Sequence, residues 1–347
     1  VATSPDIRDV ALRAGVSVAT VSNVFNRPAI VAPQTRKRVE SAVRELGYVR
    51  NESARQLRRG RSRTIGLVVP DIANPFFTDV ARGVEDSVSA VGAMVIVGNS
   101  DDDADKEQRY LTLLAEQQVM GALVVPVRGS QAVSTLLRKR GIPVVVLDIP
   151  DDGSAPSCSV SVNDVAGGRI AVAHLLAEGH RRIGFVGSDS AAPQAVERAA
   201  GARLALSRAG RSPNSLVRLA AGSLNVEGGA AAARQLLAMP AGRRPTALAC
   251  VNDLLALGVL RELMRAGVRV PADVAIVGYD DIGFAEAAAV PLSSVRQPSH
   301  LLGQRAVQLL LEECSGGPHQ HSRVVFEPEL VVRASSSGGT TAVTPTG

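Results

Sequence analysis

The sequence predicts an α/β chain: a small all-helical unit at the N-terminus, then two lobes built on parallel sheets. Three observations predict it. Residues 1–63 show helical periodicity and no strand pattern. From Thr64 onward, near-continuous apolar runs of strand length alternate with helical patterns. The about 270 residues of these alternating units exceed one ordinary domain.

In the first unit, Ile7, Val10, Ala11 and Ala14 recur at helical spacing and leave Arg8, Asp9, Leu12 and Arg13 outward, while Val21, Val24 and Phe25 form a second inward stripe. Between the stripes Gly15 can supply the positive φ of a tight turn. Ser17 stands where an N-cap oxygen would meet the free amides of a helix beginning at Val18. A third helix is expected from Thr35 to Leu46, with Val39, Val43 and Leu46 closing a three-helix core. Two short helices meeting at such a turn make a helix-turn-helix. Its second helix offers Val18, Ala19, Ser22 and Asn23 to base edges in the DNA major groove.

Any small helical hairpin has this pattern, and charge separates the two readings. Residues 1–63 hold 13 Arg and Lys against 5 Asp and Glu, whereas the rest of the chain holds 25 against 28. The whole basic excess is therefore N-terminal, as double-stranded DNA selects. The segment from Asn51 to Arg63 is helix-compatible and ends in a basic run with Gly60, so it reads as a linker. Leu57, its one large aliphatic residue, is either incidental or a wedge for the minor groove.

In order along the chain, Asp9-Val10-Ala11, Ala14-Gly15-Val16-Ser17, Thr20-Val21-Ser22, Asn26, Thr35-Arg36, Gly47-Tyr48 and Ala54-Arg55-Gln56-Leu57 resemble the DNA-binding headpiece and hinge of the lactose-repressor/galactose-repressor family of bacterial transcription regulators. The resemblance continues to about Ala334. It implies a DNA-contacting set of Ser17, Val18, Ala19, Thr20, Ser22, Asn23, Asn26 and Thr35, with Asn51, Ala54, Arg55, Leu57 and Arg58 in a hinge that orders on operator DNA. Asn23 departs from the family, where Arg or His is more usual. Asn pairs best with adenine, so the operator is not carried over.

Beyond the linker the elements are expected in order. Strand runs are Thr64–Pro70, Met94–Gly98, Gly121–Val125, Pro143–Leu147, Ile183–Gly187, Ala247–Val251 and Val274–Gly278, with helices from Pro75 to Val91 and from Ala104 to Gln118. Such strands separated by helices imply parallel sheets covered on both faces. By resemblance the two lobes are periplasmic-binding-protein-like, and the final strands near Arg323 to Val332 return across the hinge. The expected division is a DNA-binding domain at 1–50, a hinge at 51–63, lobe 1 at about 64–161 and 292–322, lobe 2 at about 162–291 and 323–334, and a disordered tail at 335–347. Crossovers are expected at Ser161-Val162-Asn163 and Val290-Pro291-Leu292.

Open α/β sheets bind ligands at the carboxyl ends of their strands. Those ends carry Asp71, Asn74, Phe76 and Phe77, then Asp148, Asn252-Asp253 and Tyr279-Asp280-Asp281. Carboxylates and amides beside aromatic rings suit a hydroxyl-rich ligand. Asn163, Asn252 and Asp253 also precede helices, where capping explains them equally well. The resemblance adds Arg198 as an effector-binding residue and raises Asn252 and Asp280 above capping alone. It places Leu224 where an aromatic is often found, and Ala192 where the purine-binding member has a cation. A sugar or sugar derivative is thus expected rather than a nucleobase.

Catalysis finds little support, because no nucleophile elbow, phosphate loop or His-Glu-x-x-His motif occurs, and no cofactor is expected. His319-Gln320-His321 lacks a third ligand in sequence and reads as surface, so no metal is expected. Asp101-Asp102-Asp103-Ala104-Asp105 reads as the acidic start of a helix. Three widely spaced cysteines read as reduced, and no secretory or membrane-spanning run is found. The expectation is a cytoplasmic, nucleoid-associated homodimer on a palindromic operator, without a tetramerisation helix. The alternative is a periplasmic or soluble sugar-binding protein without DNA function, which leaves the basic headpiece unexplained.

Overall fold

A computed structural model describes residues 5–49, 62–127, 131–149, 157–187, 192–317 and 319–337. The chain divides into two compact units, Val1–Ser62 and Arg63–Gly347. The hinge residues Asn51, Ala54, Arg55, Leu57 and Arg58 lie outside the described residues, as does the tail from Gly338.

The first unit holds helices α1 (Ile7–Ala14), α2 (Val18–Asn26) and α3 (Pro33–Leu46). Asp6 begins α1 with a capping box, its carboxylate accepting from the Arg8 and Asp9 amides while Asp9 accepts from the Asp6 amide. Gly15 ends α1 at φ 63° and Ser17 caps α2, its Oγ accepting from the Thr20 amide at 3.1 Å. α3 starts two residues before the expected Thr35, because Pro33 suits the first helical turn, where no amide partner is needed. Val10, Ala11, Ala14, Val21, Val24, Val39 and Ala42 form the buried core, with Val43 and Leu46 packed at its edge.

The second unit holds two six-stranded sheets. The first contains β1 (Thr64–Val69), β2 (Met94–Asn99), β3 (Gly121–Val124), β4 (Val144–Leu147), β5 (Cys158–Val162) and β11 (Arg323–Phe326), ordered β11-β5-β4-β3-β1-β2 and parallel throughout. The second contains β6 (Ile183–Gly187), β7 (Val217–Ala220), β8 (Ala247–Cys250), β9 (Ala275–Asp280), β10 (Ser293–Arg296) and β12 (Glu329–Val331), ordered β12-β10-β9-β8-β6-β7. Only β12 runs antiparallel there. The two sheets share a topology, each reversing direction beside its first strand, β1 or β6. Helices α4 (Pro75–Ser89), α5 (Ala104–Glu116), α6 (Gln131–Lys139) and α12 (Ser299–Cys314) belong to the first lobe. Helices α7 (Asp164–Ala177), α8 (Pro193–Arg208), α9 (Val226–Ala238), α10 (Asp253–Arg265) and the short α11 (Gly283–Glu286) belong to the second.

Three expected boundaries are corrected. Residues 292–296 belong to the second lobe, because Ser293–Arg296 extends its parallel ladder beside β9 and buries Val295; the crossover comes at Gln297-Pro298. Arg323–Phe326 belongs to the first lobe, paired with β5. The tail does not begin at Ser335: that residue is buried, its amide group and Oγ bonded to Pro291, Ser293 and Ile276, and Ser336 bonds Ser293 and His174. These hydroxyls satisfy backbone groups of the sheet, which ties 335 and 336 into the second lobe.

Three helix pairs, α4–α12, α7–α8 and α9–α10, pack through reciprocal glycines. A Cβ on Gly168 would lie 1.9 Å from the Arg198 carbonyl oxygen, and one on Gly201 would lie 2.0 Å from that of Val165. Gly83 with Gly303, and Gly229 with Gly258, repeat the arrangement at 2.0–2.2 Å. In each pair the missing side chains let the two backbones touch.

Candidate functional site

In the headpiece unit, the Ser17 cap sets the first turn of α2, and Ser17, Val18 and Ala19 are exposed there. Ser17 Oγ and Thr20 Oγ1 lie 2.9 Å apart, and Asn26 Nδ2 donates to Ser22 Oγ at 3.1 Å. A shallow concavity brings Ser17, Thr20, Asn23 and Thr35 together with Arg38, which the sequence reading had not singled out. Polar groups on a helix N-terminus beside a cation suit a phosphate-lined groove.

The second site is a cleft of about 530 Å³ between the two lobes of the larger unit. It is lined by all nine residues expected for an effector: Asp71, Asn74, Phe76, Phe77, Asp148, Arg198, Leu224, Asn252 and Asp280. Each comes from a strand's carboxyl end or the helix after it. Asn74 caps α4, accepting from the Phe76 amide, and this seats Phe76 and Phe77 edge to face with centroids 5.0 Å apart. Asn252 both caps α10 through Leu255 and holds the Leu224 carbonyl with its amide nitrogen at 2.9 Å, so capping and site-building coincide. Asn163 caps α7 and Asp253 accepts from Ser294 and the Ile282 amide; neither lines the cleft.

Arg198 is the hub. It is buried, its Nε donating to Asp164 Oδ1 and its Nη1 to the Val251 carbonyl, each at 2.6 Å, with Asp280 3.8 Å away and the Tyr279 ring 3.6 Å below the guanidinium. Burial works against its charge, but Asp164 foremost, with Tyr279, Asp280 and Asp148, holds its pKa above the ordinary value. Asp280 accepts from Gln297 at 2.7 Å and from Asn74 of the opposite lobe at 3.3 Å. Its pKa is raised to about 6, by burial more than Arg198 and the two amides can offset. Asp148 accepts from Gln194 across the cleft at 3.0 Å, while its other oxygen is buried with no hydrogen-bond partner among the described residues.

Burial, reinforced by Asp164, raises the Asp148 pKa to about 8. A carboxyl whose pKa rises on folding contributes stability fully present below its unfolded value near 3.8, and loses it as pH climbs through about 8. Asp148→Asn is therefore expected to gain on the parent protein as pH rises from 4 to 9, by about 1–3 kcal/mol. Paired thermal melts across that range check this; a constant difference would show that Asp148 is not the group titrating.

Sequence reasoning missed Gln194, Asp101, Asp102, Ser223, Asn225 and the supporting Asp164 and Gln297. Asp101 and Asp102 had been absorbed into a helix start, which Asp103 indeed caps by accepting from the Asp105 and Lys106 amides, yet both line the cleft. Nothing in local spacing distinguishes Gln194 or Asp164 from surface residues. The expected absence of a third ligand near His319 and His321 is corrected as well: Cys158 and Glu313 lie beside them.

Comparison with known proteins covers both units of the chain. Residues 6–51 match the model of bacterial regulatory proteins, lacI family, and residues 172–336 match the periplasmic binding protein-like domain. The HTH-type transcriptional repressor PurR of Photobacterium profundum is 36% identical over 330 residues, covering 95% of this chain and 98% of that one. The lac repressor dimer bound to operator and the anti-inducer ONPF superposes with a TM-score of 0.84 at 29% identity, covering 96% of this chain and 99% of that one. The transcriptional regulator CelR–cellobiose complex gives 0.70 at 33%, covering 95% and 99%. These relatives are regulators and not enzymes, and they leave the DNA-free binding protein without support. With a helix-turn-helix headpiece followed by a two-lobed, cleft-bearing unit, the chain belongs to the lacI family of bacterial regulatory proteins.

Proposed function

We propose that this DNA-binding repressor is controlled by a small sugar or sugar derivative held between its lobes. The observation that carries the reading is the cleft wall: Asp71, Asp148, Asn252 and Asp280 present acceptors to ligand hydroxyls, and the Phe76–Phe77 pair covers the ligand's apolar side. The Asp148 oxygen without a hydrogen-bond partner among the described residues is open to the ligand, and because the carboxyl stays protonated up to about pH 8 it can meet a sugar as donor or acceptor. The cellobiose bound to CelR supports the same chemistry. Asn74–Asp280 and Gln194–Asp148 already bridge the lobes, so a ligand among them biases closure. Closure then resets the hinge around Leu57, with couplings of about 1–3 kcal/mol, about 5–150-fold in DNA affinity.

The protein works as a cytoplasmic, nucleoid-associated homodimer on a palindromic operator. The edge strand β2 supports the dimer, because it exposes Met94 and Ile96 on one face and Val97 on the other. Among the described residues, no helix is long and apolar enough to cross a membrane.

Selection of random duplex DNA on the full chain should return a two-fold-symmetric site. Val18→Glu with Ala19→Glu should abolish its binding, while the thermal midpoint holds, since carboxylates suit a helix N-terminus. In parallel, a sugar at 100 times its Kd should stabilise the full chain by about 2.7 kcal/mol and shift affinity for the selected site. A protein that binds sugar without any effect on DNA would sink the coupled reading.

A further inference from the structure

At the opposite end of the first sheet from the cleft, four metal-ligating groups converge from three elements. Cys158 opens β5, Glu313 sits in the last turn of α12, and His319 and His321 lie on the segment that leads into β11. Cys158 Sγ is 3.1 Å from His319 Nε2 and 3.9 Å from His321 Nδ1, and Glu313 Oε2 is 4.0 Å from His319 Nε2. All four ligand atoms lie within 4.8 Å of one another. A tetrahedral zinc ion with bonds of about 2.0–2.3 Å sets its ligands about 3.5 Å apart, so the observed edges bracket the required size.

Three further features set the group apart from a chance cluster. Glu313 Oε2 is buried with no hydrogen-bond partner among the described residues, a cost that a cation would remove. The Ser322 amide donates to Cys158 Sγ at 3.4 Å, which fixes the sulfur's position between the two imidazoles. The rings of His319 and His321 meet edge to face at 5.1 Å, with Nε2 of the first and Nδ1 of the second turned toward the sulfur.

We propose that Cys158, Glu313, His319 and His321 form a structural site for a divalent cation of the zinc class. A thiolate, two imidazoles and one carboxylate are the donor set that zinc takes, while hard cations such as magnesium prefer oxygen alone. On binding, the Cys158 S–H bond breaks, its proton passes to solvent, and the sulfur lone pair forms the metal–sulfur bond. The ion fastens the segment before β11 to the foot of β5 and the end of α12. β11 leads on to β12 in the second lobe, so the staple anchors one of the strands on which the lobes turn.

The test uses the full, untagged chain, stripped with a chelator under reducing conditions and titrated with zinc alone, then with cobalt. One equivalent should bind, the thermal midpoint should rise, and cobalt should give tetrahedral d–d bands with a thiolate charge-transfer band. Cys158→Ser should remove the charge-transfer band. Because that side chain is buried and its replacement could impair folding, the exposed His321→Ala supplies the second reading: about tenfold or more weaker zinc binding with an unchanged metal-free melt. Absence of saturable binding in the parent chain, or an equal equivalent in the combined His319→Ala and His321→Ala variant, would overturn the site.

Discussion

Arg198→Ala is expected to lower stability by about 3–5 kcal/mol, because it leaves Asp164 and Asp280 as buried carboxylates without their cation. For a unit of this size that is a fall in thermal midpoint of about 5–15 °C. The loss should shrink as pH falls below the Asp280 value of about 6, since protonation removes the charge that the arginine had balanced. Asp164→Asn added to Arg198→Ala should recover part of the stability, as the largest uncompensated charge is then gone. The same single variant should end any effector response, because Arg198 also fixes the Val251 carbonyl and the ring of Tyr279 behind Asp280. Melts at pH 5 and pH 8 with a DNA-binding assay check all of this. A pH-independent loss would mean that packing and not charge is what Arg198 supplies.

Gly168→Ala is expected to be destabilising although alanine is the better helix former by about 1 kcal/mol. The new Cβ would sit 1.9 Å from the Arg198 carbonyl oxygen, and neither backbone can yield without parting α7 from α8. Overpacking against main chain costs about 1–3 kcal/mol or more, which outweighs the propensity gain. Gly201→Ala, on the facing helix, should cost a similar amount, and the double variant less than the sum, because the first substitution already separates the pair. The midpoint of chemical unfolding for the two single variants and the double checks it; a stabilised Gly168→Ala protein would contradict the close approach. The separation should also weaken effector binding, since Arg198 is carried by α8.

Much of this was legible from local patterns. The Gly15 turn and Ser17 cap were readable because one residue's φ and one hydroxyl decide them, and the helix stripes because burial repeats with the helical period. Uniformly apolar strands such as Thr64–Val69 were equally plain. Cys158–Val162 was not: serines alternate with its apolar residues, and all five positions are buried because helices and neighbouring strands close over both faces. The strand Val217–Ala220 was hidden by Arg218, which an edge position tolerates. Seven of the nine cleft residues could be named because parallel strands must end on one side, and Arg198 and Leu224 only through the family resemblance, yet Asp101 and Asp102 were lost to a competing local role.

By itself the sequence determined the element types, the basic headpiece and the set of polar strand ends, since these depend on near neighbours and on charge counted along the chain. Only the tertiary structure decided that Arg198 would be occupied by Asp164, that glycines far apart would face each other, and that His319 and His321 would meet Cys158. Those contacts join residues from about 30 to more than 160 positions apart. Whether such groups meet depends on how sheets stack and chains cross, which no local period or spacing records.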